Sequence, residues 1–527
     1  MKKEIINHIS LKRLIINDLK TDWKFITLTI ISSILLHILL WFAWPLHSGA
    51  DAETYLYYFI DSFHKNPVFH NLMCFRTPVA PFFFGSLLTV GGSFLTTIIL
   101  EILSLSALIS IYLICTRWGK LAARAAAIIF SLMIAYQIQY HQVGSDVVFS
   151  WLIIIFIFFL KYSFQYENIR NWIWAVLGVV ISFATLTRPG GIVLSLVVIS
   201  ILFLNFSWKK KIAAVLITVT SIVIILGGYV LYKGIRYDDF SIARGFNHTI
   251  SYRIFRLQDN AINEENGPAS RKLIGIIKSD ILTTDVYKNY GVTIEEFLSY
   301  KPNSRLHGDL ISTVDIKEGW KSNYRLLLDV SIESIKAHPK VFVSQYLKDI
   351  MKLLVADSQI QDVPNNPGTV TEVELNDKGV PVPTEDEIIP YSNHWWLSTR
   401  PDGSFPGEQE IEDFKAESKK LTNYFTGASG NEKIGIKLKQ SWNLFHFPLI
   451  YFWILGIIGI ILAQRNERIF LLSIFILFVI YTSFTLLGAP PWLKYRLPLD
   501  PVFLILGIAG ITNTINRLKG NLIEEKN

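Results

Sequence analysis

Apolar residues in this chain gather into long unbroken runs rather than alternating with polar ones at helix or strand period. The runs lie at 25–46, 94–115, 121–139, 147–164, 171–187, 190–207, 212–232, 447–464, 469–488 and 500–516. A helix needs roughly 20 apolar residues to cross a hydrocarbon layer of about 30 Å, so the pattern predicts about ten transmembrane helices. Between the seventh and eighth runs lies a polar stretch, 233–445, long enough to be a domain of its own. Inside it, Tyr324–His338 and Val341–Leu354 carry helical spacing, while 361–407 is rich in Pro, Asn, Asp and Gly and reads as loop. The Asn393-His394-Trp395-Trp396 cluster reads first as packing, with a membrane surface or a sugar ring as the other use of its aromatic faces. The expected fold is a polytopic α-helical membrane protein whose large extracytoplasmic domain is α+β or mainly helical. Its segments are 1–24, an amphipathic start; 25–232, a membrane module with a first outer loop at 47–93; the 233–445 domain; and 446–527, a second membrane module.

Composition agrees with the runs. Of 527 residues, 51% are hydrophobic, 13% aromatic and only 18% charged, and mean hydropathy is +0.36. Soluble chains carry about a quarter charged residues, so a soluble enzyme, a disordered chain and a fibre are all excluded. The net charge of +7 is unevenly placed. The 233–445 stretch has 26 Lys+Arg against 30 Asp+Glu, a net of −4, and the remainder has 24 against 13, a net of +11. The positive excess therefore flanks the spans, where it sets orientation, and indicates no nucleic-acid face.

Every second connection is basic. Lys2, Lys3, Lys12, Arg13, Lys20 and Lys24 precede the first run, and Arg117, Lys120 and Arg124 follow the second. Lys161 and Arg170 follow the fourth, Lys209–Lys211 the sixth, Arg465 and Arg468 the eighth, and Arg517 and Lys519 the tenth. Positive-inside sorting then puts both termini in the cytoplasm and 233–445 outside. The first run is too long and too far along the chain for a cleaved signal peptide. Cys74 and Cys115 fall on opposite sides of the bilayer, so they cannot pair. No Walker loop, dinucleotide fingerprint, HExxH or CxxC is present.

Ionisable residues near hydrocarbon are costly and need partners, which makes them candidates for function. Here they collect at the outer ends of the runs. The first outer loop opens Asp51-Ala52-Glu53-Thr54-Tyr55, where Asp51 is either a general base or the N-cap of a helix. Arg76-Thr77-Pro78 comes next, with Arg76 able to hold an anion or meet lipid headgroups. Gly144-Ser145-Asp146 opens the fourth run, with Asp146 placed to serve a helix dipole or a ligand. Thr187-Arg188-Pro189-Gly190-Gly191 is a short hairpin whose pinned Arg188 needs a carboxylate or a phosphate beside it. Pro490–Pro498 places Lys494, Tyr495 and Arg496 outside, against the sorting rule. Glu101 within the second run reads as structural, and His37 and His141 as packing.

The order and sidedness of these motifs resemble the GT-C superfamily of polytopic glycosyltransferases. The resemblance is to bacterial members such as the protein O-mannosyltransferases and the lipid A aminoarabinose transferases. It rests on Asp51-Ala-Glu53-Thr-Tyr55, Arg76-Thr-Pro78, Ser145-Asp146, Leu186-Thr187-Arg188-Pro189-Gly190 and Tyr495-Arg496-Leu-Pro498-Leu-Asp-Pro501. This chain separates its two first-loop acids by Ala52, where that family often has them adjacent. The resemblance implies a hexosyl- or pentosyltransferase in a bacterial inner (cytoplasmic) membrane. Its donor would be a polyprenyl-phosphate sugar, and its acceptor an envelope polymer, lipid or protein. It also implies Asp51 as catalytic carboxylate with inversion at the sugar. The residues expected beside it are Glu53 and Asp146 among the catalytic groups, and Tyr55, Arg76, Arg188, Lys494, Tyr495 and Arg496 for substrate. No cofactor is required; a divalent cation could sit between carboxylates, although no ligand spacing demands one. Three other readings stay open: an O-antigen-ligase or polymerase type using His248, His307 or His338, a transporter or flippase of lipid-linked saccharides, and a sensor or scaffold whose outer domain binds envelope polymer.

Overall fold

The structure, a computed structural model, describes residues 11–49, 51–167, 169–255, 257, 261–289, 291–299, 305–355, 395–424, 431–442, 449–488 and 493–524. These are mostly helical, and the chain is a multi-pass membrane protein. Six described helices are long and apolar enough to cross a membrane: Trp23–Ala43, Val79–Trp118, Ser145–Gln165, Trp208–Tyr237, Arg465–Gly488 and Leu497–Lys519. The run 121–139 folds instead as two helices, Lys120–Ser131 and Ile134–His141, bent by 64°, which makes a seventh span if taken together. The runs at 171–187, 190–207 and 447–464 form shorter apolar helices, Trp172–Thr187, Pro189–Phe203 and Ile450–Leu462.

From the N-terminus the elements are α1 (Leu11–Lys20), α2 (Trp23–Ala43), β1 (His47–Ser48), α3 (Ala52–Asp61), α4 (His70–Phe75) and α5 (Val79–Cys115). Then come α6 (Lys120–Ser131), α7 (Ile134–Gln137), β2 (Gln142–Val143), α8 (Ser145–Gln165), α9 (Trp172–Thr187), α10 (Val197–Phe203), α11 (Trp208–Tyr237) and α12 (Phe246–Ile254). The main core joins α5, α6, α8 and α9 to the last two long helices. Two spans stand at the periphery: α2 exposes Leu28, Leu35 and Phe42, and α11 exposes Leu216, Ile224 and Ile235. In water such faces would be unstable, and in lipid they meet a solvent as apolar as themselves.

The 47–93 segment, expected as the first outer loop, is largely helical. α5 begins at Val79, well before the apolar run does, and its helical path breaks at Gly91 and Gly92. Gly92 has φ +61° and ψ −155°, a conformation open essentially to glycine alone. The break frees the segment before it to lie over α3, and α3 and α5 pack together.

The 47–93 segment is also tied to the residues after α11 by a buried charge network. Arg244 donates to both carboxylate oxygens of Asp315, at 2.5 and 2.8 Å, to Asn71 Oδ1 at 3.1 Å and to the Trp320 carbonyl at 2.7 Å. Its guanidinium lies 3.5 Å from the Trp320 ring centroid. Helices Arg325–Ala337 and Pro339–Val355 occupy the two stretches read as helical from spacing. In the 361–407 stretch, 361–394 lies outside the described residues, as do Asn393 and His394; Trp395–Ser398 forms a 3-10 turn.

Candidate active site

Four separate stretches of chain build the site. The first two meet through a small parallel pairing, in which His47 is opposite Gln142 and Ser48 opposite Val143. Gly49 then donates to the Val143 carbonyl at 3.0 Å. A Cβ on Gly49 would lie 2.6 Å from that oxygen, so only glycine permits the approach. This contact brings the start of α3, which Asp51 precedes, to the start of α8, where Tyr55 reaches Ser145.

Asp51 precedes α3, but its carboxylate makes no capping bond to the helix. It is turned to Arg76, whose Nη2 donates to Oδ1 at 2.8 Å. Arg76 follows α4 in extended conformation, and its guanidinium lies 5.3 Å from the Tyr55 ring centroid. Burial disfavours the charge on Arg76, yet Asp51 and the nearby phenols of Tyr55 and Tyr495 hold it above its ordinary pKa. Tyr55, one helical turn after Asp51, is buried and donates to Ser145 Oγ at 2.8 Å. Burial, and then the Asp51 charge, push its phenol up, so it stays a donor.

Ser145 Oγ accepts a second bond, from Arg188 Nε at 3.0 Å. Arg188 in turn pairs with Asp146 at 2.5 Å. The local cause is Pro189, which excludes its predecessor from helical geometry. α9 therefore ends at Arg188, which is extended, with φ −144° and ψ 125°. The side chain leaves the helix axis and crosses to the start of α8. Its guanidinium lies 5.9 Å from the Phe149 ring centroid and 5.8 Å from that of Tyr495. Tyr481, from the helix Arg465–Gly488, stacks on Phe149 at 5.3 Å and completes the wall. Tyr495 is raised in pKa by burial, with Arg188 acting the other way.

Asp51, Tyr55, Arg76, Asp146, Arg188 and Tyr495 thus stand in one continuous array, joined through Ser145. The four charged members balance as two ion pairs, and all four keep partial exposure, from 13% for Arg188 to 35% for Asp51. Glu53 is elsewhere: it is the exposed residue of α3, and its carboxylate accepts from the hydroxyl of buried Tyr57 one turn on. Arg496 also departs from the array. It is buried, donates to Asp500 Oδ1 at 3.1 Å and to the Leu353 carbonyl at 3.4 Å. Consecutive helical residues point about 100° apart, so Tyr495 and Arg496 on the short helix Leu493–Arg496 cannot face the same way. The Lys494 side chain lies outside the described residues. Ser145, quoted in the sequence only as the neighbour of Asp146 and given no role there, supplies the oxygen on which both halves of the array converge.

No family profile matches the chain, and no curated protein does. Among solved structures it is similar to ArnT from Cupriavidus metallidurans bound to undecaprenyl phosphate. That match covers 92% of this chain and 78% of the other, at 12% identity and a TM-score of 0.34. Likeness this loose carries no chemistry across, and the chemistry of the site comes from its own side chains.

His248, a candidate under the ligase-like reading, is buried between Phe75 and Tyr324, and burial pulls its pKa down to about 3. It is a packed neutral imidazole. The side chain of His307 lies outside the described residues.

Proposed function

We propose that the protein transfers a sugar from a polyprenyl-phosphate donor to a hydroxyl or amine acceptor at the extracytoplasmic face of a bacterial inner membrane. One observation carries the reading: the array running Asp51–Arg76–Tyr55–Ser145–Arg188–Asp146, assembled from segments far apart in sequence. The Asp51 carboxylate stands at one end, and the Arg188 guanidinium, flanked by aromatic rings, stands with Asp146 at the other.

In this reading the acceptor oxygen or nitrogen attacks the anomeric carbon. The new bond to the acceptor forms as the bond from that carbon to the phosphate oxygen breaks, and the electron pair leaves on the polyprenyl phosphate. Asp51 takes the acceptor's proton, help worth roughly 10²–10⁴-fold. Arg76 keeps Asp51 anionic until then. A single displacement inverts the sugar. Arg188, held by Asp146 and Ser145, faces the leaving phosphate with Tyr495 beside it. Charge preorganised in this way commonly contributes more to rate enhancement than any other single effect. Two ion pairs sum to zero charge, so an incoming phosphodiester calls for one more cation, a place Lys494 fits by sequence position. Glu53 and Arg496 take outlying roles: Glu53 at the exposed rim, Arg496 in fixing the turn that presents Tyr495.

The test is a panel of undecaprenyl-phosphate sugars offered to purified protein together with envelope extract as acceptor source. Release of polyprenyl phosphate from at least one donor, lost in Arg188→Gln, is the expected result. If every donor survives intact and none raises the melting temperature, the proposal is wrong.

A further inference from the structure

Beneath the strand pair that positions Asp51 and Ser145 lies a second polar cluster, made by His37 of α2, Glu101 of α5 and His141, which ends the turn after α7. These residues are 64 and 40 positions apart in the chain. His37 Nδ1 stands 3.3 Å from His141 Nε2 and 3.1 and 2.9 Å from the two Glu101 oxygens. His141 Nε2 stands 3.5 Å from Glu101 Oε1. Both imidazoles are buried, and their rings lie nearly parallel with centroids 5.5 Å apart.

The hydrogen bonds behind His37 determine which nitrogen carries its proton. Gln137 Nε2 donates to the Phe130 carbonyl, which turns Gln137 Oε1 toward Ser104. Ser104 spends its single proton on that oxygen at 3.1 Å, so its Oγ accepts from His37 Nε2–H at 3.0 Å. In the neutral ring, Nδ1 is then a bare lone pair, and it points at a carboxylate and at a second imidazole nitrogen. With the His141 proton on its own Nδ1, its Nε2 joins them and three electron-rich atoms converge. A proton can bridge two of them, whereas a metal ion satisfies all three. The spacing favours the ion. Ligand bonds of about 2.0–2.1 Å at tetrahedral angles put neighbouring ligand atoms about 3.3 Å apart. The three edges of this triangle are 3.3, 3.1 and 3.5 Å.

We propose that His37 Nδ1, His141 Nε2 and a Glu101 oxygen bind a divalent transition-metal ion of the zinc class, with the fourth position open. Ser104 is the outer partner that orients His37, as such ligands generally require. The ion would clamp α2, α5 and the segment entering β2, and so hold the strand pair in register. Its role is structural, and it stands apart from the sugar-transfer reading.

The experiment uses full-length protein in detergent, with its affinity tag removed and no chelator present. Metal content is measured by mass spectrometry, and the chelator-stripped protein is then titrated with cobalt(II) and followed by visible absorption. About one equivalent per chain and the intense ligand-field bands of a four-coordinate ion are expected. Glu101→Gln and His141→Gln should abolish both, and Ser104→Ala should weaken binding about 10–100-fold. Since a ligand variant could fail to fold, the wild-type titration decides alone if need be. Protein that stays metal-free after zinc supplementation and gives no cobalt bands overturns the proposal in favour of a proton-sharing cluster. So does stoichiometric binding that survives both ligand variants.

Discussion

Removing the Asp51 carboxylate separates two roles that the geometry superposes. Asp51 is the counter-ion of Arg76 at 2.8 Å and is also the proposed proton acceptor. The gross attraction at that distance is about 1.5 kcal/mol in water and about 6 kcal/mol at an effective dielectric constant near 20. With Arg76 22% and Asp51 35% exposed, the pair belongs near the lower figure. Exposed pairs net about 0–1 kcal/mol once desolvation and side-chain entropy are included. A pure counter-ion role therefore makes Asp51→Asn cost at most about tenfold. General-base loss should cost 10²–10⁴-fold, or about 2.7–5.5 kcal/mol. A double-mutant cycle tells them apart. Turnover of the polyprenyl-phosphate sugar is measured for wild type, Asp51→Asn, Arg76→Met and the double variant. In the Arg76→Met background there is no ion pair left to lose, so any further drop belongs to proton transfer. A drop of about 10²-fold or more is expected there. A change of less than about fivefold in that background would refute the base assignment and leave Asp51 as a partner for Arg76.

The surrounding structure sets three further outcomes. Asp315→Asn leaves the buried Arg244 guanidinium without its counter-charge, a loss of about 3–5 kcal/mol, so thermal melts in detergent should drop clearly below wild type; an unchanged melt contradicts the network's role. Gly49→Ala drives a Cβ into the Val143 carbonyl, and a displacement near 1 Å at the site is enough for about 10²-fold lower turnover with melting largely kept; wild-type turnover would show that the strand pair does not position Asp51. His248 is held neutral by burial with its pKa lowered from 6.5 to about 3. The unfolded chain binds that proton first, so the contribution of His248 to stability is complete above pH 6.5 and is lost progressively as pH falls from 6.5 toward 3. His248→Phe should flatten that part of a melting-temperature pH series, and parallel curves for the two proteins would contradict it.

The solvent of this protein is legible along the chain alone. Hydropathy is a sum over neighbours in sequence, so six of the ten apolar runs marked helices long enough to span, while 121–139 bends and 171–187, 190–207 and 447–464 form shorter helices; the helical spacing of 324–338 and 341–354 marked real helices. Most of the side chains that share the array were legible too, because a charge at the end of an apolar run is conspicuous wherever it points. Their partners were not, since pairing depends on which segments folding brings side by side. Asp51 could have capped α3, and only the strand pairing with Gln142–Val143 and the placement of α4 turn it to Arg76. Arg188 needed an anion, and only the crossing of α8 makes that anion Asp146. Glu53 and Arg496 looked equivalent to their neighbours in one dimension, yet one helical residue rotates a side chain by about 100° and sends each elsewhere. His37, Glu101 and His141 were each visible as ionisable residues in or beside apolar runs, but their triangle was not, since they sit singly in separate segments that meet only when the helices pack.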